Sequence, residues 1–266
     1  MSHSLRLFAG TPLSLSPGDR LSLVETASPE YVPALVAAAG RLPRLPAGTV
    51  LTPEGDGPAL QVIGAFLRPG QGDVPASRIL AAAALAAGTF AAGETAFAAA
   101  RTGLSLAWIT LSDKGSQGLR VDAAGPAIET AFAASLTLSL AKGHLLPDEP
   151  AELKALLVDL ALTQGYDCIV TTGGTGLSPR DTTPEATLAV IEKRLPGFET
   201  AMLTASLAKT PHAMLSRAVA GTLGHSIILN VPGSPKAVRE TLAAVLPAIP
   251  HGLDKLRGDP ADCGQG

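Results

Sequence analysis

The chain has 266 residues, of which 46% are hydrophobic, 16% charged and only 3% aromatic. At roughly 150 residues per domain, that length allows one large domain or two. The formal net charge of −3 excludes an electrostatic nucleic-acid binder, which needs a surplus of Lys and Arg facing the phosphates.

In chain order, the N-terminus has neither a basic lead nor an apolar core of signal-peptide length, so secretion is not expected. Short apolar runs at 21–24 and 60–66 are bounded by Pro17-Gly18, Gly55-Asp56-Gly57 and Pro69-Gly70, and read as strands and turns. Residues 31–39 read as a short helix. Residues 1–75 are therefore expected to form a small mixed α/β or β-rich domain, near the size at which a core is only marginally self-sufficient. The Ala-rich stretch 76–103 reads as a helical linker, broken near Gly88 and Gly93. Its most membrane-like window, 79–100, is mostly Ala and contains Glu94. Ala contributes little to insertion, so no membrane span is predicted. A compositional break follows, because the first lysine of the chain is Lys114.

Downstream, apolar runs of strand length at 104–111, 168–172 and 226–231 alternate with helical stretches at 122–139, 151–163, 184–195, 198–208 and 235–256. The last of these is expected to bend at Pro247 and Pro250. Fully apolar strands alternating with helices predict a mostly parallel sheet covered on both faces, a three-layer α/β/α arrangement over 104–258. Residues 259–266 read as a flexible tail. In such sheets ligands bind at the carboxyl ends of the strands.

The loop after 168–172 contains Gly173, Gly174, Thr175 and Gly176, where missing side chains let backbone N–H groups approach an anion. Thr182 or Thr183 can cap the next helix, Pro184 fits its first turn and Glu185 complements the dipole. A phosphate could lie between this loop and Arg180, with Asp181 close by. The spacing is neither a Walker loop nor a dinucleotide fingerprint, and a tight turn that needs glycine for geometry alone fits it about as well. Ser112 and Asp113 end the first strand as an ordinary polar turn. Pro232-Gly233-Ser234-Pro235 closes the third strand and opens a helix whose free N–H groups could meet an anion. Arg217 could bind phosphate bidentately. The five histidines show no metal-ligand spacing. Cys168, inside an apolar strand, reads as a core residue. With only Cys263 beside it, no disulfide framework or zinc site is expected, and a reducing, cytoplasmic setting is.

These motifs together resemble a known family. TTGGTGLSPRDTTPEAT, residues 171–187, resembles the signature loop of the MogA/MoaB family of molybdenum cofactor biosynthesis proteins, found also as the G domain of plant and animal molybdenum insertases. ITLSDKGSQGLRVDAAGPAIE at 109–129 and MLSRAVAGTLGHSIILNVPGSPKAVRE at 214–240 resemble its other two motifs, in order. Leu146-Pro147-Asp148-Glu149 looks like its Val-Pro-Asp-Glu. The resemblance implies the molybdopterin-binding fold and ATP-dependent adenylylation of molybdopterin with release of pyrophosphate. It also implies Mg2+, with Asp148 and Asp181 matching the two functional aspartates. Ser112, Asp113, Thr172, Gly173, Gly174, Thr175, Gly176, Arg180, Ser216, Arg217, Pro232, Gly233 and Ser234 would bind pterin or nucleotide. A homotrimer and transient contact with a molybdenum insertase are implied as well. A non-catalytic module that binds or delivers the pterin is the alternative, and a nucleotide pyrophosphatase a weaker one. The first 100 residues resemble no named family.

Overall fold

A computed structural model describes residues 3–72 and 75–260. The chain divides into two compact units, Met1–Gly103 and Leu104–Gly266.

The first unit is all β. Its strands are β1 (His3–Ala9), β2 (Leu13–Leu15), β3 (Arg20–Val24), β4 (Ala34–Ala37), β5 (Val50–Pro53), β6 (Leu60–Arg68), β7 (Ser77–Ala84), β8 (Gly88–Phe90) and β9 (Gly93–Ala100). Seven of them close a barrel in the order β1-β4-β3-β7-β6-β5-β9, while β2 and β8 form a separate pair. Closure gives each of the seven barrel strands a neighbour on both sides. The interior is filled by Leu7, Leu23, Leu51, Leu60, Val62, Leu80 and the tilted Phe90–Phe97 pair, whose centroids are 5.6 Å apart.

The expected helical linker at 76–103 is not helical: it supplies β7, β8 and β9. Alanine's advantage in a helix is only a few tenths of a kcal/mol per residue over most residues. In β7 it is outweighed by ladders on both edges, to β3 and to β6. Ile79, Leu80, Ala82 and Ala84 are buried while Ala81 and Ala83 are half-buried, the alternation of a strand. Small side chains also suit a narrow barrel interior. The domain therefore runs to Gly103 rather than stopping at 75. The helix expected at 31–39 is likewise replaced by β4, which pairs with β1 and β3.

The second unit begins with β10 (Leu104–Leu111), α1 (Asp113–Ser116), α2 (Ala124–Ser135), β11 (Leu138–Leu146) and α3 (Pro150–Val158), which runs on into a π-helical turn, Asp159–Gln164. Then come β12 (Cys168–Thr172), α4 (Thr183–Leu188), β13 (Lys193–Arg194), α5 (Pro196–Leu207), a 3-10 turn (Pro211–Leu215), β14 (Ala220–Leu223), β15 (Ser226–Val231), α6 (Pro235–Ala243) and α7 (Ile249–Leu256). The six-stranded sheet has the order β11-β10-β12-β15-β14-β13. Its first four strands are parallel, and β14 and β13 are antiparallel additions. Every residue of β12 and β15 is buried, so these strands are covered on both faces, as their composition predicts. Leu106, Cys168, Val170, Ile227 and Leu229 form one core with Ile128 and Phe132 of α2, Val238 and Leu242 of α6, and Leu253 of α7.

Three boundaries differ from expectation. The helix expected over 122–139 ends at Ser135, and 138–146 becomes an edge strand paired in parallel with β10. The helix expected over 184–195 stops at Leu188, and the residues beyond it turn to the sheet edge, where Lys193–Arg194 pair with β14 and the Glu192 and Leu195 N–H groups donate to the Thr222 and Ala220 carbonyls. The long helix at 235–256 is interrupted by a 3-10 turn, Leu246–Ala248, where Pro247 and Pro250 remove N–H donors. Cys263 lies outside the described residues.

Candidate active site

Because β10, β11, β12 and β15 are parallel, their following loops gather at one edge of the sheet. The chain leaves β10 toward β11 on one side and β12 lies on the other, so the connections part and open a crevice there. A cleft of about 270 Å3 occupies it. Of the residues expected to bind or catalyse, Ser112, Asp148, Thr172, Gly173, Gly174, Asp181 and Gly233 line this cleft.

The glycine loop is required sterically. Gly173 has φ +98°, and a Cβ there would lie 2.5 Å from the Leu111 carbonyl; Gly174 has φ +62°, and its Cβ would lie 2.4 Å from Thr183 Oγ1. Backbone thus runs where a side chain could not fit. Thr172 Oγ1 donates to the Pro232 carbonyl at 2.8 Å, tying this loop to the one after β15. Neither Thr182 nor Thr183 caps α4 with its side chain; instead Thr183 Oγ1 donates to the Gly173 carbonyl at 3.0 Å and braces the loop. Ser112 caps α1, accepting from the Gly115 N–H at 3.0 Å, and Ser234 caps α6, accepting from the Ala237 N–H at 3.2 Å.

The carboxylates are linked reciprocally. The Asp113 N–H donates to Asp148 Oδ2 and the Asp148 N–H to Asp113 Oδ1, each at 3.0 Å. Arg180 Nη2 donates to both Asp113 oxygens at 2.8 Å and Nη1 to Glu149 at 3.0 Å. The arginine expected beside a phosphate therefore joins the loops after β10, β11 and β12. The backbone hydrogen bond from Asp148 and the Arg180 guanidinium hold the Asp113 carboxyl below the usual range. Burial, together with the Asp113 and Asp181 charges, pushes the Asp148 carboxyl up, against the hydrogen bond from Asp113 and the charge of Arg180. Asp181 Oδ2 accepts from the Ser178 N–H at 2.8 Å. Asp148 and Asp181 thus each commit one oxygen to a backbone amide and leave the other without a hydrogen bond among the described residues.

Other expected residues lie apart from this cleft. Thr175, Gly176 and Ser216 line a neighbouring cavity of about 280 Å3. Ser216, Arg217 and Pro232 line another of about 440 Å3. Arg217 donates to the Gly176 carbonyl at 2.8 Å, to the Asp181 carbonyl at 2.5 Å and to Glu185, so it shapes the loop bearing Asp181. Two charged residues lining the cleft were not singled out from the sequence. Arg120 is the one Lys or Arg among its described lining residues. Asp122 accepts from Thr110 Oγ1 at 2.7 Å and from the Ala124 and Gly125 N–H groups at 3.0 Å each. Asp122 was legible as a cap ahead of a helix; nothing local marks Arg120.

A family model described as "Probable molybdopterin binding domain" matches residues 107–251. The chain belongs to this molybdopterin-binding family. It is 41% identical over 152 residues to the molybdopterin adenylyltransferase of Helicobacter pylori (strain J99 / ATCC 700824), covering 57% of this chain and 86% of that protein. The molybdopterin adenylyltransferase of Escherichia coli (strain K12) is 38% identical over 155 residues, 56% of this chain and 80% of that protein. Gephyrin of Dictyostelium discoideum is 40% identical over 161 residues, which span 57% of this chain and 22% of gephyrin. Among solved structures, the molybdopterin biosynthesis enzyme MoaB of Thermus thermophilus is 44% identical with a TM-score of 0.54, covering 60% of this chain and 99% of that one. A MogA structure at 35% identity has a TM-score of 0.54, with 57% and 99% covered. The family match falls in the second unit, and the resemblance to MogA and MoaB read from the three loop motifs is borne out.

Proposed function

We propose that residues 104–258 adenylylate molybdopterin: the pterin's terminal phosphate oxygen attacks the α-phosphorus of ATP, a new P–O bond forms, and the bond to the bridging oxygen breaks to release pyrophosphate. The observation that carries this reading is the cleft at the strand ends, where Asp148, Asp181 and the glycine loop converge. Transfer of this kind needs positioning and charge neutralisation more than covalent work by the protein. The Gly174 N–H and Arg120 would hold phosphate oxygens, the Gly173 N–H being given to the Val231 carbonyl at 3.4 Å. Arg180 holds Asp113 and Glu149, and through Asp113 keeps Asp148 in place.

Among the described residues no group of three or more His, Cys, Asp or Glu is placed to hold a metal. Two aspartates with one uncommitted oxygen each fit Mg2+, which takes one or two carboxylates and completes its shell with phosphates and waters. Asp148 and Asp181 would hold it, and its chemistry there is neutralisation of phosphate charge. Asp113, held by Arg180 and the Asp148 amide, is left as a positioning group. Mainly backbone, hydroxyl and charged groups would hold the pterin, in keeping with the 3% aromatic content.

The same reading carries a cytoplasmic homotrimer that passes its product to a molybdenum insertase; a sedimentation measurement giving a monomer contradicts the trimer. The second reading, a non-catalytic module that delivers the pterin, draws on the separate barrel of the first unit. Purified chain incubated with molybdopterin, ATP and Mg2+ is expected to yield adenylylated pterin and pyrophosphate. No product from the wild-type chain would put the delivery module ahead. Asp181→Asn should reduce turnover by about 100-fold or more while the melting temperature stays close to wild type; unchanged turnover removes Asp181 from the metal site.

A further inference from the structure

The barrel of the first unit has a cavity of about 690 Å3, lined from the 40–42 segment, the end of β6 and the start of β7. That volume is in the range of small-molecule sites, roughly 300–1,000 Å3. Three arginines line it: Arg41, Arg68 and Arg78. Among the described residues none of the three guanidinium groups has an ion pair or a side-chain hydrogen bond. The one carboxylate described in the lining, Glu25, offsets one of the three charges and pairs directly with none of the arginines. Its two oxygens accept from the backbone N–H groups of Leu42 at 3.0 Å and Arg78 at 3.2 Å, so it fastens two walls of the cavity together. Asp73, in the connection between β6 and β7, lies outside the described residues.

A solvated surface arginine is commonplace; three without carboxylate partners around one cavity, in a unit whose other arginines include the Arg6–Glu94 pair, are a concentrated positive charge. Guanidinium forks match phosphate oxygens bidentately, which lysine cannot do. Leu42 and the 62%-exposed Leu67 add apolar wall beside the charges. We propose that this cavity binds an anionic small molecule of about nucleotide size whose charged end is a phosphate or diphosphate. Arg41, Arg68 and Arg78 grip the oxygens, and Leu42 and Leu67 face the organic part. The site is separate from the strand-end cleft and does not depend on the activity proposed there.

The probe is pyrophosphate at about 1 mM, read by hydrogen–deuterium exchange on the full chain, which reports the two units separately. Slower exchange is expected at 40–42, 66–69 and 75–79, saturating with concentration, whatever occurs at 172–182. Arg41→Gln, at an exposed position, and the double variant with Arg68→Gln should each weaken the barrel effect, the double variant about tenfold or more, while Asp181→Asn leaves it unchanged. Absence of protection in the barrel at saturating pyrophosphate would overturn the proposal, as would protection that persists in a folded double variant. Equal protection by citrate would overturn the phosphate assignment in favour of a carboxylate ligand.

Discussion

Arg180 reaches Asp113 and Glu149, from the loops after β10 and β11, while the arginine itself follows β12. All three side chains are about half exposed, so the ion pairs themselves add little stability; their effect is to fix where Asp148 points. If ionised Asp148 is needed at the transferred phosphate, activity is present above its raised pKa and is lost as pH falls through it. With Mg2+ arriving with ATP, kcat/KM reports the metal-free chain, and its acid limb is therefore expected above the ordinary aspartate value of about 3.9. Arg180→Gln removes a cation that favours the charged form, so the limb should move to higher pH; a limb that stays fixed would separate Arg180 from Asp148. Arg120 acts differently, as a cation in the cleft without a carboxylate partner among the described residues. Arg120→Gln is expected to raise KM for ATP or the pterin by roughly tenfold with kcat little changed, the pattern of lost uniform binding. A fall in kcat alone would contradict that role.

Asn230 shows how one buried side chain joins elements. Its Nδ2 donates to Thr171 Oγ1 of β12 at 2.8 Å and to Thr187 Oγ1 of α4 at 2.9 Å, and its Oδ1 accepts from the Val219 N–H at 3.3 Å. Asn230→Ala strands these buried groups, at a cost of about 2–3 kcal/mol, measurable as a lower midpoint in urea with an unchanged slope. Gly173→Ala meets the Leu111 carbonyl and a backbone with positive φ, so both stability and adenylylation should fall. Stability equal to wild type would show that the loop can yield. At this scale the parallel strands were legible because 168–172 and 226–231 carry short apolar runs of strand length that end in glycine- and proline-containing loops. Strands β11 and β14 were not, because Lys142, Gly143 and His144 interrupt the leucines of β11 and β14 is only four residues long, so their pairing with β10 and β15 decides them. The Ala-rich β7 misleads for the same reason: its two neighbouring strands, not its own propensity, set its conformation.

The two cores, one built on Leu23, Leu51, Leu80 and Phe97 and the other on Leu106, Phe132, Val170 and Leu242, are separate clusters. Two such units are expected to unfold in two calorimetric transitions. A fragment beginning at Leu104 should give one transition and adenylylate molybdopterin within a few-fold of the full chain; an inactive but folded fragment would assign the barrel a part in turnover. Residues 104–258 were legible as a domain from alternating strand and helix patterns, and their family from three loop motifs in order, because loops at strand ends demand particular glycines, prolines and carboxylates. The motifs also marked Asp148 and Asp181 as the candidate pair. Only tertiary structure decided that Arg180 grips Asp113, that Arg120 enters the cleft and that 76–103 closes a barrel. Those outcomes depend on groups far apart in the chain, and a local pattern of residue types carries no record of which distant carboxylate or strand edge will be within reach.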